Sequence, residues 1–196
     1  MAAALPVSSR VSLRGALSRE THGYPSLPRG AITEVSGAIS SGRTALLHQI
    51  LAEASARGEA CAVVDGAGAF DPLSAAEAGV DLRRVLWVRC GGRLDFAIKA
   101  ADMIVHSGGF GVVALDLCEA ENHGLNRIPL SYWYRFRNAL ENTPTRLVVM
   151  CHASLVKACA LHLETKRERV TWRGKGVFTG IEFVAEIRKQ RAALAG

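Results

Sequence analysis

The chain has 196 residues, 49% of them hydrophobic and 21% charged, which predicts one domain with a substantial buried core. No apolar run comes near the roughly 18 residues of a membrane-spanning helix, so no such helix and no membrane partner are expected. The balance of 24 Lys+Arg against 18 Asp+Glu permits an acidic partner such as nucleic acid, although a cationic surface without that role is equally compatible. The five cysteines form no C-x-x-C pair, which favours a reducing, cytosolic location over a disulfide framework or a zinc site.

Residues 1–26 are predicted to be a short basic N-terminal segment and a linker. The first twenty residues carry three arginines and no acid before Glu20. This pattern is typical of a transit peptide or of a short amphipathic helix with Leu13, Ala16 and Leu17 on one side. The following "THGYPSLPRG" has two prolines and two glycines and indicates a linker.

From residue 31 onward, short apolar runs alternate with helical patterns. The predicted strands are "AITEVSG", "CAVVDG", "RVLWVRC", "GVVALDL" and "RLVVMCH", and the predicted helices are "RTALLHQILAEASAR", "PLSAAEAG", "RLDFAIKAADMIVHSG" and "PLSYWYRFRNALEN". Repeated strand–helix–strand units predict an α/β fold with a mostly parallel central sheet and helices on both faces. The segments "ALHLETKRERVTW" and "FTGIEFVAEIRKQ", joined by "RGKG", predict a C-terminal antiparallel hairpin. The predicted core domain therefore spans 27–190, and 191–196 are a tail.

The stretch "GAISSGRT", Gly37 to Thr44, has the spacing of a P-loop. It stands between a predicted strand and a predicted helix, where backbone N–H groups and the helix dipole can face phosphate. Arg43 takes the usual lysine position, and its wide, planar guanidinium leaves triphosphate binding an open question. A strand ending at Asp116 places a carboxylate where P-loop folds hold Mg²⁺, although a strand-end cap is the alternative. The expected nucleotide-binding residues are Gly37, Ser40, Ser41, Gly42, Arg43 and Thr44, with Asp116 as the expected Mg²⁺ ligand.

The run from "SLPRGAITEV" to "GVDLRRVLWV" resembles the ATPase core of the bacterial RecA family. The shared features are the G-x-x-S-S-G loop, the D-x-x-x-x-x-D-P run from Asp65 to Pro72 and "GVDLRRVLW". The likeness extends over roughly 27–190 and implies a RecA-like P-loop core. The resemblance also implies a catalytic glutamate where this chain has Ala67, and a γ-phosphate-sensing polar pair where it has Cys151 and His152. With Arg43, these departures predict no catalytic residue and no required cofactor, with ATP or ADP and Mg²⁺ as optional ligands.

A compact RecA-like core with these departures is similar to the ImuA family. These are accessory proteins of bacterial SOS mutagenesis that work with ImuB, an inactive homologue of Y-family polymerases, and with an error-prone polymerase. The resemblance implies a non-catalytic adaptor in translesion DNA synthesis, located in the cytoplasm with the nucleoid. A small RecA-like ATPase or recombination mediator and a SulA-like cell-division inhibitor are the alternatives.

Two surfaces are expected to contact partners. The hairpin carries a cationic cluster that predicts weak, non-specific DNA binding, or else a solvated edge that discourages aggregation. RecA proteins polymerise by docking an N-terminal helix and strand onto a neighbour, and here an ImuB-like partner is expected to supply such a segment in trans. The receiving elements are expected to be the helix Arg93–Ser107 and the strand Val85–Cys90. The cationic cluster is Lys166, Arg167, Arg169, Arg173 and Lys175, and the expected partner contacts are Leu94, Ile98 and Met103.

Overall fold

The computed structural model describes residues 10–14, 24–118, 125, 128–173 and 177–190, and the side chains of all of these except 10–14, 171–173 and 177–181. The strands are β1 (Arg10–Arg14), β2 (Ala31–Gly37), β3 (Cys61–Asp65), β4 (Val85–Arg89), β5 (Val112–Asp116), β6 (Arg146–Cys151), β7 (Leu161–Arg173) and β8 (Val177–Gln190). The α-helices are α1 (Arg43–Ala56), α2 (Pro72–Glu77), α3 (Leu94–Ser107) and α4 (Leu130–Leu140). None of the helices in these ranges is long and apolar enough to cross a membrane.

All of the described strands belong to one sheet, in the order β1-β8-β7-β2-β6-β5-β3-β4. Pairing is parallel from β7 across to β4, whereas β8 pairs antiparallel with β7 and β1 pairs antiparallel with β8. The predicted fold class, a mostly parallel sheet with an antiparallel C-terminal hairpin, is confirmed. The strands β3 and β6 are buried along their whole length, as expected for apolar strands that are covered on both faces.

The core is divided by the sheet into two layers. Leu46 and Leu51 of α1 pack with the sheet residues that point to one face. Ile98 of α3 and Trp133 of α4 pack with those that point to the other face. Successive strand residues alternate between the layers, so Val63 belongs to the first layer. The sheet is therefore covered by helices on both faces, as the sequence predicts.

The N-terminal segment departs from expectation. A short amphipathic helix around Leu13 is one of the two structures that the sequence pattern suggests, but Arg10–Arg14 form the strand β1. The residues "RVSLR" alternate polar and apolar types, which is the two-residue period of a strand. Pairing with Glu182–Glu186 of β8 gives this short segment the backbone partners that a strand needs. β1 thus lies in the same sheet as the core predicted for 27–190, while Ala16 and Leu17 lie outside the described residues.

The carboxyl ends of the parallel strands meet at one edge of the sheet, where ligands bind in open α/β sheets. Gly37, Asp65, Asp116 and Cys151 end their strands there. β7 runs further than its neighbour, because its pairing with β2 stops at Thr165 while its pairing with β8 continues to Arg173. The hairpin therefore extends past the edge at which the candidate site lies.

Candidate functional site

The phosphate loop, Gly37 to Thr44, lies between β2 and α1 as predicted. Gly42 stands immediately before the helix with φ of 97°, a left-handed conformation that glycine adopts without a Cβ penalty. No side chain caps the first turn of α1, and Ala38 to Ser40 are exposed. Open backbone N–H groups at a helix N-terminus favour an anion. The backbone of the loop is thus suited to phosphate, and Thr44 is exposed beside it.

The loop is held in shape by the C-terminal hairpin. The Ser41 and Thr165 hydroxyls are hydrogen-bonded at 2.7 Å, and Thr165 is buried on β7. A Cβ on Gly42 would overlap the ring of Phe183 on β8, so any larger residue there displaces the ring or the helix. Neither Thr165 nor Phe183 was identified from the sequence. Both lie far along the chain from the loop, and a local sequence pattern does not show contacts between distant segments.

Arg43, the cation of the loop, turns away from the solvent. The residue is 7% exposed, and its Nη1 donates to the Cys151 carbonyl oxygen at 2.9 Å and to His152 Nδ1 at 3.0 Å. Because a guanidinium only donates, Nδ1 of His152 must be the acceptor and carries no proton. The side chain therefore joins the start of α1 to the carboxyl end of β6.

Asp116 ends β5 as predicted and is only partly exposed. Its Oδ1 accepts a hydrogen bond from the Cys118 N–H at 2.9 Å. Burial raises the pKa of the Asp116 carboxyl, and hydrogen bonds from Cys118 oppose this rise; the charge of Asp65 raises the pKa and that of Arg43 lowers it as smaller effects. The carboxylate thus acts as a local cap and also stands in the electrostatic field of the loop cation.

Asp65 has a structural role at the end of β3. Its Oδ1 accepts from the Gly68 and Ala69 N–H groups at 2.7 and 2.9 Å. Its Oδ2 accepts from the Phe70 N–H and from Trp87 Nε1, each at 3.1 Å. These four donors fix the loop after β3, and Ala67 within that loop carries no carboxylate.

The described residues fit a nucleotide only in part. The loop backbone, Thr44 and Asp116 suit a phosphate group with Mg²⁺. The cation does not fit a terminal phosphate, because Arg43 is engaged by the end of β6. Nor does Ala67 supply a group that could orient an attacking water. Among the described residues, the loop backbone is suited to a phosphate group, whereas Arg43 and Ala67 do not supply the free cation and the carboxylate expected at these two positions.

A buried carboxylate that sequence reasoning missed lies beside the site. Glu34, in the middle of β2, is fully buried and accepts hydrogen bonds from the segment that joins β6 to β7. The donors are the Leu155 N–H, the Val156 N–H at 2.9 Å, Ser154 Oγ at 3.2 Å, Cys151 Sγ at 3.5 Å and Cys159 Sγ at 3.8 Å. His162 Nδ1 lies 3.9 Å from its Oε2, and Nε2 of the same ring is 2.7 Å from Ser36 Oγ. The available signal was a charged glutamate in the middle of a predicted strand of the parallel sheet.

The cationic cluster of the hairpin is only partly described. Lys166 lies 3.0 Å from a Glu186 carboxylate oxygen and 3.5 Å from one of Glu164, so its charge is partly neutralised. Arg167 and Arg169 are exposed. Arg173 is described only in its backbone, and Lys175 lies outside the described residues.

The expected partner surface lies at the opposite edge of the sheet. β4 pairs with β3 and has no second neighbour among the described strands. An apolar groove of about 340 Å³ lies between α3 and the start of α4. Its lining is Leu94, Asp95, Ile98, Lys99, Ile128, Pro129 and Tyr132. Leu94 and Ile98 thus lie together in this groove, whereas Met103 does not line it and is 73% exposed.

Three features define a P-loop protein with a RecA-like core. They are the loop that leads from β2 into α1, the carboxylate at the end of β5 and the order of the strands in the sheet. The model of the RecA N-terminal domain matches residues 7–122, and the chain belongs to that family. Protein RecA of Teredinibacter turnerae is 40% identical over 94 residues, which are 48% of this chain and 27% of that protein. Protein RecA of Rhodospirillum rubrum is 43% identical over 94 residues, 48% of this chain and 25% of that protein. The matches thus span about a quarter of the length of these relatives.

A solved structure supports the same fold. The crystal structure of the RadB recombinase superposes with a TM-score of 0.61 at 16% sequence identity. The match covers 85% of this chain and 84% of the RadB chain, so it extends through the C-terminal part that the family model does not include.

Proposed function

We propose that this protein is a non-catalytic RecA-like adaptor that acts in SOS-induced translesion DNA synthesis, in the manner of the ImuA family. The proposal rests on the geometry of the phosphate loop and on the residues around it. Its backbone is suited to phosphate, while Arg43 is bound to the end of β6 and Ala67 offers no carboxylate. A core that keeps its fold without the groups for hydrolysis is better suited to binding a partner than to turnover.

The proposed partner surface consists of the edge of β4, which has no second neighbour among the described strands, the α3–α4 groove and the exposed Met103 of α3. The strand edge offers backbone donors and acceptors to an added strand, and the groove offers a site for apolar side chains of the same partner. The partner is a protein of the ImuB type, which supplies an extended N-terminal segment and brings the error-prone polymerase with it. This function places the protein in the cytoplasm, close to the nucleoid.

The test is affinity capture with the tagged full chain from DNA-damaged cells. Polymerase-type subunits are expected with the wild type and are expected to be lost when Leu94 and Met103 are both changed to glutamine. Leu73→Gln is the matched control, because Leu73 is 75% exposed on α2, which packs against the other face of the sheet. Thermal unfolding of each variant shows that the fold is kept.

Three results would contradict the proposal. One is undiminished capture of polymerase subunits by the Leu94→Gln, Met103→Gln variant. Another is recovery of a cell-division protein in place of a polymerase, which would support the inhibitor of the SulA type. The third is assembly of the purified protein into long homofilaments, because the β4 edge would then be used by a second copy of the chain.

A small RecA-like ATPase or recombination mediator is the second candidate. It is favoured by the position of Asp116 at the end of β5 and by the exposed Thr44 in the loop, since both residue types hold Mg²⁺ in P-loop proteins. A measurement of phosphate release from ATP, with and without single-stranded DNA, separates this candidate from the adaptor.

A further inference from the structure

The contacts of Arg43 differ from those of a P-loop cation that is bound to a nucleotide. In a P-loop, the cation after the second glycine reaches the β- and γ-phosphates of the bound triphosphate. Here Nη1 of Arg43 donates at 2.9 Å to the Cys151 carbonyl oxygen and at 3.0 Å to His152 Nδ1. Both acceptors lie at the carboxyl end of β6.

We propose that Arg43 is an internal occupant of the phosphate site. Its guanidinium makes the connection between the loop and β6 that a terminal phosphate would otherwise bridge, so the core is held in order without a nucleotide. A nucleotide then binds in competition with this connection, because the two N–H groups of Nη1 cannot donate to the end of β6 and to a phosphate at once. The inference concerns the loop alone and does not rest on the partner proposed above.

Burial and charge support this assignment. A buried cation is stabilised when its donors find acceptors, and both N–H groups of Nη1 have acceptors at the carboxyl end of β6. The charge of Arg43 also lowers the pKa of the partly buried Asp116 carboxyl, although burial of that carboxyl has the larger, opposite effect. A guanidinium whose Nη1 already donates twice within the protein gains less from a phosphate than a solvated lysine would.

Two further contacts connect the loop to the hairpin of β7 and β8. Ser41 is tied to Thr165 on β7, and Gly42 packs against Phe183 on β8. Together with the hydrogen bonds of Arg43, these contacts connect the loop to β6, β7 and β8. The conformation of the loop is therefore stabilised by contacts within the protein.

The first experiment measures thermal unfolding of the full chain in Mg²⁺ buffer without nucleotide. Arg43→Met is expected to lower Tm by about 4 °C or more, because it removes both hydrogen bonds to β6. Arg83→Met is the control, since the Arg83 side chain is 90% exposed. Equal Tm values for the two variants would overturn the proposal.

The second experiment measures the affinity for Mg·ADP and Mg·ATP by titration calorimetry. His152→Leu keeps the cation and the loop and removes only an acceptor, so it is expected to bind nucleotide about tenfold more tightly than the wild type, or more. Arg43→Lys is expected to show a similar gain, and Arg83→Lys none. A gain confined to Arg43→Lys would overturn the proposal, since lysine alone would then explain it. If His152→Leu fails to fold, the Tm values of Arg43→Met and Arg83→Met still decide whether Arg43 holds the loop to β6.

Discussion

Arg43, Ala67 and His152 decide whether bound nucleotide could be hydrolysed at the carboxyl edge of the sheet. We expect the purified protein to show no DNA-stimulated ATP hydrolysis, because Ala67 cannot orient water and Arg43 is engaged by β6. The measurement is phosphate release with and without single-stranded DNA. A turnover that disappears in Asp116→Ala would refute the expectation and support the ATPase candidate. Arg43→Lys combined with Ala67→Glu should strengthen nucleotide binding more than it restores turnover, because His152 remains.

His48 predicts a pH dependence of stability. It is 6% exposed on α1, its Nε2 has no hydrogen-bond partner among the described residues, and its ring contacts that of Phe70 edge-on, with the ring centroids 5.9 Å apart. Burial lowers the pKa of His48 from 6.5, with the charge of Asp71 opposing the shift. The unfolded chain then binds the proton at a higher pH than the folded chain does, so the free energy of unfolding falls as the pH drops below about 6.5.

The measurement for His48 is urea unfolding at a series of pH values between about 7.5 and 5.5. His48→Leu is expected to lose most of the decline in this range. His106→Leu is the matched control, because the His106 side chain is 45% exposed, and it should keep the wild-type slope. An unchanged slope in His48→Leu would show that another group is responsible.

Single residues also show where sequence reasoning succeeds. The loop from Gly37 to Thr44 could be predicted because its conformation depends on a local order of strand, glycines and helix. The partners of Arg43 could not, since Cys151 reaches the site only through the pairing of β2 with β6. Glu34 left a visible signal, a carboxylate inside a predicted strand, but its donors lie at and after the end of β6, far along the chain.

The connection between β6 and β7 is organised by Glu34, so we expect Glu34→Ala to be severely destabilising. The change leaves the Leu155 and Val156 N–H groups without their acceptor in the protein interior. We expect a loss of about 3–5 kcal/mol of unfolding free energy, measured by urea denaturation. Glu77→Ala on exposed α2 should stay within about 0.5 kcal/mol of the wild type. Similar losses for both variants would show that the Glu34 contacts are unimportant.

The hairpin of β7 and β8 is expected to bind DNA weakly, without sequence preference and with strong salt dependence. Arg167 and Arg169 are exposed cations, and nothing described on the hairpin resembles a base-reading loop. Three phosphate contacts would give a slope of log K against log salt of about −2.7. The measurement is fluorescence anisotropy of labelled DNA at several salt concentrations.

Charge reversal to glutamate at Arg167, Arg169 and Arg173 should remove this DNA binding. The matched control is charge reversal at Arg57, Arg83 and Arg84, which carries the same change in charge near the opposite edge of the sheet. Binding that persists in the hairpin variant, or that survives high salt, would show that the contact lies elsewhere.

At the level of elements, the regular strands and helices were predictable, because each carries its own period of apolar residues. In α4, for example, Trp133, Phe136 and Leu140 stand at helical spacing, and all three are buried. β1 was missed because five residues give a weak pattern, and their strand conformation depends on the presence of β8. A strand whose stability depends on pairing with a distant segment of the chain cannot be identified from its local sequence pattern.

For the molecule as a whole, the fold class followed from the alternation of strands and helices, but the strand order did not. A parallel sheet can be wound in several orders that satisfy the same alternation. The observed order places β2 between β6 and β7, and this choice brings the phosphate loop, His152 and Thr165 to one site. The chemistry of the site thus depends on a long-range feature.

The central position of β2 also sets the order in which a growing chain can fold. β2 is synthesised before β3, β4 and β5, yet its neighbours in the sheet, β6 and β7, follow only after all three. At ordinary rates of translation, β2 waits on the order of ten seconds with both edges open. Its apolar residues and the adjoining helix are then accessible to chaperones and to other nascent chains. Because Thr165 and Phe183 arrive last, the phosphate loop takes its final shape only when the hairpin closes on it.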